Sequence, residues 1–186
     1  MVIASNPVEG KRVGGTVGRA VDGVQLRINK DKVVEVRSNA MFGGYWKNPL
    51  KTKEEFTEDG FFITGDTGRL DENGYLQIMG RNKDLIISGG LNVYPKEVED
   101  VIENIKNVLE CAVISVPDPD LGEAVLAVVV ATKAMNQHQI IKNCKDVLAT
   151  YKVPKKVIFL DALPRNTMGK IQKNILRETY KNAIIL

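Results

Sequence analysis

The sequence predicts an α+β protein: a small antiparallel, barrel-like β subdomain over residues 1–82, followed by an α+β domain over residues 83–186. Three observations predict it. Up to about residue 78, short β-rich runs are separated by turn pairs such as Gly14-Gly15, Asp22-Gly23, Gly43-Gly44, Asp59-Gly60 and Asn73-Gly74, the punctuation of a small antiparallel sheet. From Pro95 onward, helical stripes interleave with apolar runs. Between the two textures lies Gly80-Arg81-Asn82-Lys83-Asp84-Leu85-Ile86-Ile87-Ser88-Gly89-Gly90, a polar, glycine-bounded joint.

In order, Val24–Ile28 and Val33–Arg37 alternate apolar and polar residues, and each places one face on a core. A turn or two of helix is expected near Pro49–Phe56. Phe61-Phe62-Ile63 runs into Thr64-Gly65-Asp66, expected to end a strand, and Tyr75–Ile78 leads to the joint. There Leu85–Ile87 is a short β run, and Gly89-Gly90 permits positive φ or the close approach of a ligand; taken alone, the stretch also reads as a plain surface hairpin. Pro95 opens a helix with Val98, Val101, Ile102 and Ile105 as its stripe. Val108–Val116 and Ala124–Ala131 read as strands, the second apolar on both faces and therefore central. Ile140, Ile141, Cys144, Val147 and Leu148 form another helical stripe, Val157–Leu160 a further strand, and Ile171–Tyr180 a terminal helix.

With 186 residues, 44% hydrophobic and 26% charged, the chain can bury a core without disulfides or metals. Its net charge of +3 is small and dispersed, which argues against nucleic acid and is compatible with an anionic small ligand. Cys111 and Cys144 sit within apolar patterns, as suits buried thiols in a reducing, cytoplasmic setting. Ala124–Ala131 is too short to cross a bilayer. Met1-Val2-Ile3 has no signal-peptide character and reads as a chain entered partway through a fold.

Two stretches carry chemistry. In Thr64-Gly65-Asp66 a carboxylate beside a flexible residue suits vicinal hydroxyls such as those of a ribose, though a turn-capping Asp has the same appearance. Arg81, one hairpin later, can return beside Asp66 and offer a planar donor fork to ribose or phosphate; a surface Arg is the alternative. In Pro164-Arg165-Asn166-Thr167-Met168-Gly169-Lys170 a tight loop ends on a lysine at the mouth of a helix. Its ammonium is either solvated or available to neutralise a carboxylate and a phosphate brought together for attack. With one histidine, His138, there is no material for a Ser-His-Asp or multi-His metal site, and no phosphate-cradling Gly-x-x-x-x-Gly-Lys-Ser/Thr loop is present.

Gly43-Gly44-Tyr45-Trp46-Lys47-Asn48-Pro49, Gly60–Asp66, Gly80–Pro95 with Glu97 and Glu99, and Pro164–Lys173, taken in this order, resemble the last third of adenylate-forming acid:CoA ligases, the superfamily of acyl-CoA synthetases, luciferases and carrier-loading adenylation domains. Leu163–Asn174 followed by Leu176–Tyr180 is similar to malonyl-CoA synthetases. The resemblance implies that a carboxylate attacks the α-phosphate of ATP, giving acyl-adenylate and pyrophosphate, and that the thiol of CoA then displaces AMP. It implies that Asp66 holds the ribose hydroxyls, Arg81 contacts the nucleotide, and Lys170 bridges carboxylate and α-phosphate. It implies further that Lys83 is the hinge of a mobile C-terminal domain and that Ser88, Gly89 and Gly90 lie along the pantetheine path. ATP, CoA and Mg²⁺ are the implied cosubstrates and cofactor, with the Mg²⁺ motif, phosphate loop and acyl pocket expected outside this chain, so that the chain alone is expected to be inactive. The hairpin closed by Asn29-Lys30-Asp31-Lys32 is shorter than the family pattern. A longer-chain fatty acid, a carrier protein in place of CoA, and a non-catalytic nucleotide-binding module are the competing readings.

Overall fold

The computed structural model describes residues 2–184, which divide into two units, Met1–Lys83 and Asp84–Leu186. In the first, β3 (Val24–Ile28), β4 (Val33–Ser38), β5 (Phe62–Leu70) and β6 (Leu76–Arg81) form an antiparallel meander, and a small ribbon of β1 (Ala4–Ser5) and β2 (Arg19–Ala20) joins it through a bridge between Gly18 and Leu76. Alternation sends Val34, Val36 and Leu76 into a small core with Ile3, Leu26, Phe62 and Ile78 packed around it. The short β3–β4 connection closes because the Asn29 side-chain carbonyl accepts from the Asp31 and Val33 amides, while Lys32 takes φ 62°. Helix α1 (Pro49–Glu55) starts where the Asn48 side chain accepts from the Lys51 amide and Pro49 needs no donor of its own.

The first unit departs from expectation at one strand. Thr64-Gly65-Asp66 does not end a strand: β5 continues to Leu70, and Gly65 at φ 72° makes an irregularity within it. The Thr64 hydroxyl stabilises the deviation by donating to the Val34 carbonyl and accepting from the Asp66 amide.

In the second unit, β10 (Gly122–Ala131) is central, antiparallel to β9 (Val108–Asp118) on one side and parallel to β11 (Lys156–Phe159) on the other; β7 (Ile86–Ser88) and β8 (Leu91–Val93) continue that side. Residues Ala124–Val130 are all buried because both faces of β10 are covered. On one face α2 (Pro95–Glu103) and α3 (Gln137–Val147) bring Val98, Ile102, Ile140 and Cys144 against Val125, Ala127 and Val129. On the other, Leu176 of the terminal helix α4 (Lys173–Tyr180) and Leu163 of the loop before it cover Leu126, Val128 and Val130. Val147, expected in the α3 stripe, is exposed: the helix ends there, and its buried residues are Ile140 and Cys144. Helix α4 begins two residues later than expected, so Lys170 lies on a loop rather than at its first turn.

Candidate functional site

In the first unit, the β5–β6 register places Asp66 directly opposite Arg81, and the Arg81 Nε lies 2.8 Å from the Asp66 carboxylate. A second guanidinium nitrogen donates to the Thr64 carbonyl at 3.2 Å, so Arg81 is held to β5 at two points. Its remaining donors stay exposed. Partial burial raises the Asp66 pKa from the usual carboxylate value and the Arg81 charge opposes that rise. Asp66 and Thr64 form the polar side of a cleft of about 250 Å³ whose other lining includes Val17, Val34, Leu76 and Ile78. A carboxylate oxygen facing an apolar floor suits a sugar edge with two adjacent hydroxyls.

Chain from β6 passes into a single 3₁₀ turn, Asn82–Asp84, in which Lys83 is exposed. Arg81 is tied to Asp66 within the first unit, and Asp84 is tied to Arg177 at 2.6 Å within the second. Asn82 and Lys83 are the residues left between these anchors.

The stretch Ser88-Gly89-Gly90 closes the β7–β8 hairpin, with Gly89 at φ 57° and Gly90 at φ 78°. Ser88 is buried. The Gly89 amide donates to the Leu121 carbonyl at 3.0 Å, and the Ile87 amide donates to the Glu123 carboxylate, which locks the hairpin to the start of β10. A Cβ on Gly89 would sit 3.3 Å from a Leu121 methyl in a backbone region that side chains avoid, so the position is shaped for a bare backbone. Beside it opens a largely apolar cleft of about 790 Å³, which Ser88 and Gly89 share with Leu121, Tyr151, Lys145 and Lys155. Lys155 is ion-paired at 2.6 Å with Asp118, whose carboxyl it holds below the usual range. Sequence reasoning missed the last three lining residues. The aromatic-basic run Tyr151-Lys152-Val153-Pro154-Lys155-Lys156 was the available signal for Tyr151 and Lys155, and Lys145 had none.

Lys170 stands at the end of a hairpin based on Pro164 and Gln172, whose carbonyl and amide bond at 2.8 Å. The Asn166 side-chain carbonyl accepts from the amides of Met168 and Lys170, and the Asn166 amide donates to the Lys170 carbonyl at 3.0 Å. Arg165 donates to the Gly169 carbonyl and to the Glu110 carboxylate. The backbone at Lys170 is thus fixed on every side. Its side chain is exposed, and its ammonium pairs with no described residue. Among the described residues no group of three or more His, Cys, Asp or Glu side chains could hold a metal ion.

Residues 97–170 match the family model of the AMP-binding enzyme C-terminal domain. The chain is 50% identical to the ATP-bound MatB structure from Rhodopseudomonas palustris, covering 97% of this chain and 39% of that one with a TM-score of 0.92. It is 44% identical to the long-chain-fatty-acid–CoA ligase FadD13 of Mycobacterium tuberculosis, over 93% of this chain and 36% of the relative. It is 38% identical to the malonate–CoA ligase of Arabidopsis thaliana, over 96% and 33%. The chain therefore spans about a third of the length of the curated relatives it matches. Motif order, the two-unit architecture and these likenesses agree, and the chain belongs to the adenylate-forming acyl-CoA synthetase superfamily, whose C-terminal portion it represents.

Proposed function

We propose that this chain is the C-terminal part of an ATP-dependent acid:CoA ligase whose acid is malonate or a related short diacid. The observation that carries the reaction class is the Lys170 hairpin: a rigid frame of hydrogen bonds presents one ammonium that no described residue neutralises. Such a charge stabilises a carboxylate oxygen as it attacks the α-phosphorus of ATP while the bond to the pyrophosphate oxygen breaks. Asp66 accepts from the ribose hydroxyls, and Arg81 faces the same nucleotide. In the second half-reaction the sulfur of CoA attacks the acyl carbon and AMP leaves. The pantetheine arm passes Ser88, Gly89 and Gly90, and the cleft beside them takes the remainder of CoA, with Lys145 and Lys155 facing its phosphates. Lys83, between the anchored Arg81 and Asp84, is the hinge that lets the second unit serve both steps in turn. The Mg²⁺ that accompanies ATP is assigned to no residue of this chain, and the two buried thiols suit a cytoplasmic enzyme.

Malonate rests on the likeness to MatB and to the plant malonate–CoA ligase. A long-chain acid is the second reading, supported by the comparable identity to FadD13. CoA ligation by the full-length protein across malonate, methylmalonate, acetate and palmitate tests both. Malonate as the preferred acid sustains the first, palmitate as the preferred acid replaces it with the second, and AMP binding without adenylate formation removes the enzymatic reading.

A further inference from the structure

The most deeply buried charge on α2 has no role in the chemistry above. Glu99 is 8% exposed, and a carboxylate so far from water requires compensation. It has two sources, both at Oε1: the Val113 amide of β9 at 2.8 Å and the Lys173 ammonium at 2.6 Å. Lys173 is itself mostly buried, with 19% of its side chain exposed. The pair joins residues 74 apart in sequence. Because α2 packs on one face of the sheet and α4 on the other, the contact closes over β9, whose ladder runs only to β10 among the described residues.

We infer that Glu99 and Lys173 are positioning residues for Lys170, a reading that rests on the ligase function proposed above. Lys173 is three residues beyond Lys170 and is the first residue of α4, where Gln172 supplies no side-chain cap. No capping side chain therefore helps to set the angle at which the hairpin enters the helix. The ion pair sets it from outside, and Arg165 does the same on the other strand of the hairpin through Glu110. Both clamps end on β9: Glu110 belongs to the strand and Glu99 holds its Val113 amide. The hairpin is thereby referenced to β9, whose ladder with the central β10 runs the length of both strands.

A buried ion pair contributes little net stability against an apolar pair of similar volume, since desolvation offsets the attraction. Attachment of α4 already follows from Leu176 and Ile171 in the apolar cluster. What the pair adds is direction, and a displacement of about 1 Å at a reacting group is worth on the order of 10²-fold in rate.

The test uses the full-length protein with Lys173→Met, Lys173→Arg and the double change Glu99→Gln with Lys173→Met. The double variant leaves no uncompensated charge, so its melting temperature should return close to that of the wild type. Its adenylation kcat should nevertheless stay about 10-fold low, with KM for ATP and acid within about 2-fold and thioester formation from supplied acyl-adenylate intact. Lys173→Arg should keep both steps. Recovery of adenylation together with melting temperature in the double variant, or equal losses in both half-reactions, overturns the assignment. Hydrogen exchange of the Gly169 and Lys170 amides separates this from the ligase reading. If the wild type forms no adenylate with any acid, the function falls, yet faster exchange in the double variant would still sustain the positioning role and unchanged exchange would overturn it.

Discussion

Asp66 and Lys170 are both charged groups proposed to meet the same nucleotide, and the two units prepare them in opposite ways. Asp66 lies within a strand, directly across the ladder from Arg81, its charge already matched at 2.8 Å and its side chain partly buried. Lys170 lies on an exposed hairpin with its backbone locked and its ammonium pairing with no described residue. The ladder supplies a contact that is already made without ligand. The hairpin supplies a charge whose proposed partner is the ligand itself. A group that only binds can be satisfied in the free protein, whereas a group that must favour the transition state gains by having its field unspent until then.

The sharpest way to break this comparison is Lys170→Ala in the full-length protein. Adenylation should fall by about 10²-fold or more, because carboxylate and α-phosphate then repel one another with nothing between them, while thioester formation from supplied acyl-adenylate continues. Equal losses in the two steps, measured by pyrophosphate release and by thioester appearance, would make Lys170 a structural residue.

Gly89→Leu should give the reverse pattern. The position sits at φ 57° with a Leu121 methyl 3.3 Å from any added Cβ, so a side chain both strains the turn and enters the proposed pantetheine path. Strain of about 1–3 kcal/mol and the blocked passage should slow thioester formation by about 30-fold with adenylation spared. Half-reaction kinetics that show adenylation falling instead would remove Gly89 from the CoA path.

How much of this was legible in the sequence follows the range of the interactions. The apolar run at Ala124–Ala131 reads as a strand covered on both faces, and it is the centre of its sheet. The Asp66–Arg81 juxtaposition was legible because one hairpin separates them. The continuation of β5 past Asp66 was not, since it depends on the Thr64 hydroxyl reaching Val34 from another strand. Val147 misled because periodicity does not reveal where a helix stops. The Glu99–Lys173 pair was invisible: both residues fell within motifs, but nothing local says that chains 74 residues apart meet over an edge strand.

Smaller in effect is Asp66→Asn, which keeps the shape and removes the charge. Two hydrogen bonds to ribose hydroxyls lose their ionic component, and Arg81 is left without its partner, so nucleotide affinity in the full-length protein should drop about 10-fold with adenylation kcat nearly unchanged. Isothermal titration with AMP reads the first, and single-turnover adenylation the second. A fall in kcat as large as that of Lys170→Ala would erase the distinction between a binding group and a catalytic one.

The smallest expected effect is the pH dependence of that same contact. Burial raises the Asp66 pKa above its ordinary 3.8, with Arg81 opposing. For folding, a carboxyl with a raised pKa binds its proton more tightly in the native state, so its contribution favours the fold below the ordinary value and is lost as pH rises through the native pKa. The proposed ribose binding runs the other way, because it needs the carboxylate to accept from both hydroxyls. Nucleotide affinity should therefore decline on acidification with a midpoint above 3.8, a 2-fold loss at that midpoint, and no such decline in Asp66→Asn. Asp118 is held to a lowered pKa by Lys155, and Asp59, held by Arg27, is lowered to about 2, so both remain ionised while Asp66 takes up its proton. The window is consequently clear of the ion pairs that these two residues maintain. An affinity that declines equally in wild type and Asp66→Asn would show that another group carries the pH dependence, and that the strand-held carboxylate is not what the ribose meets.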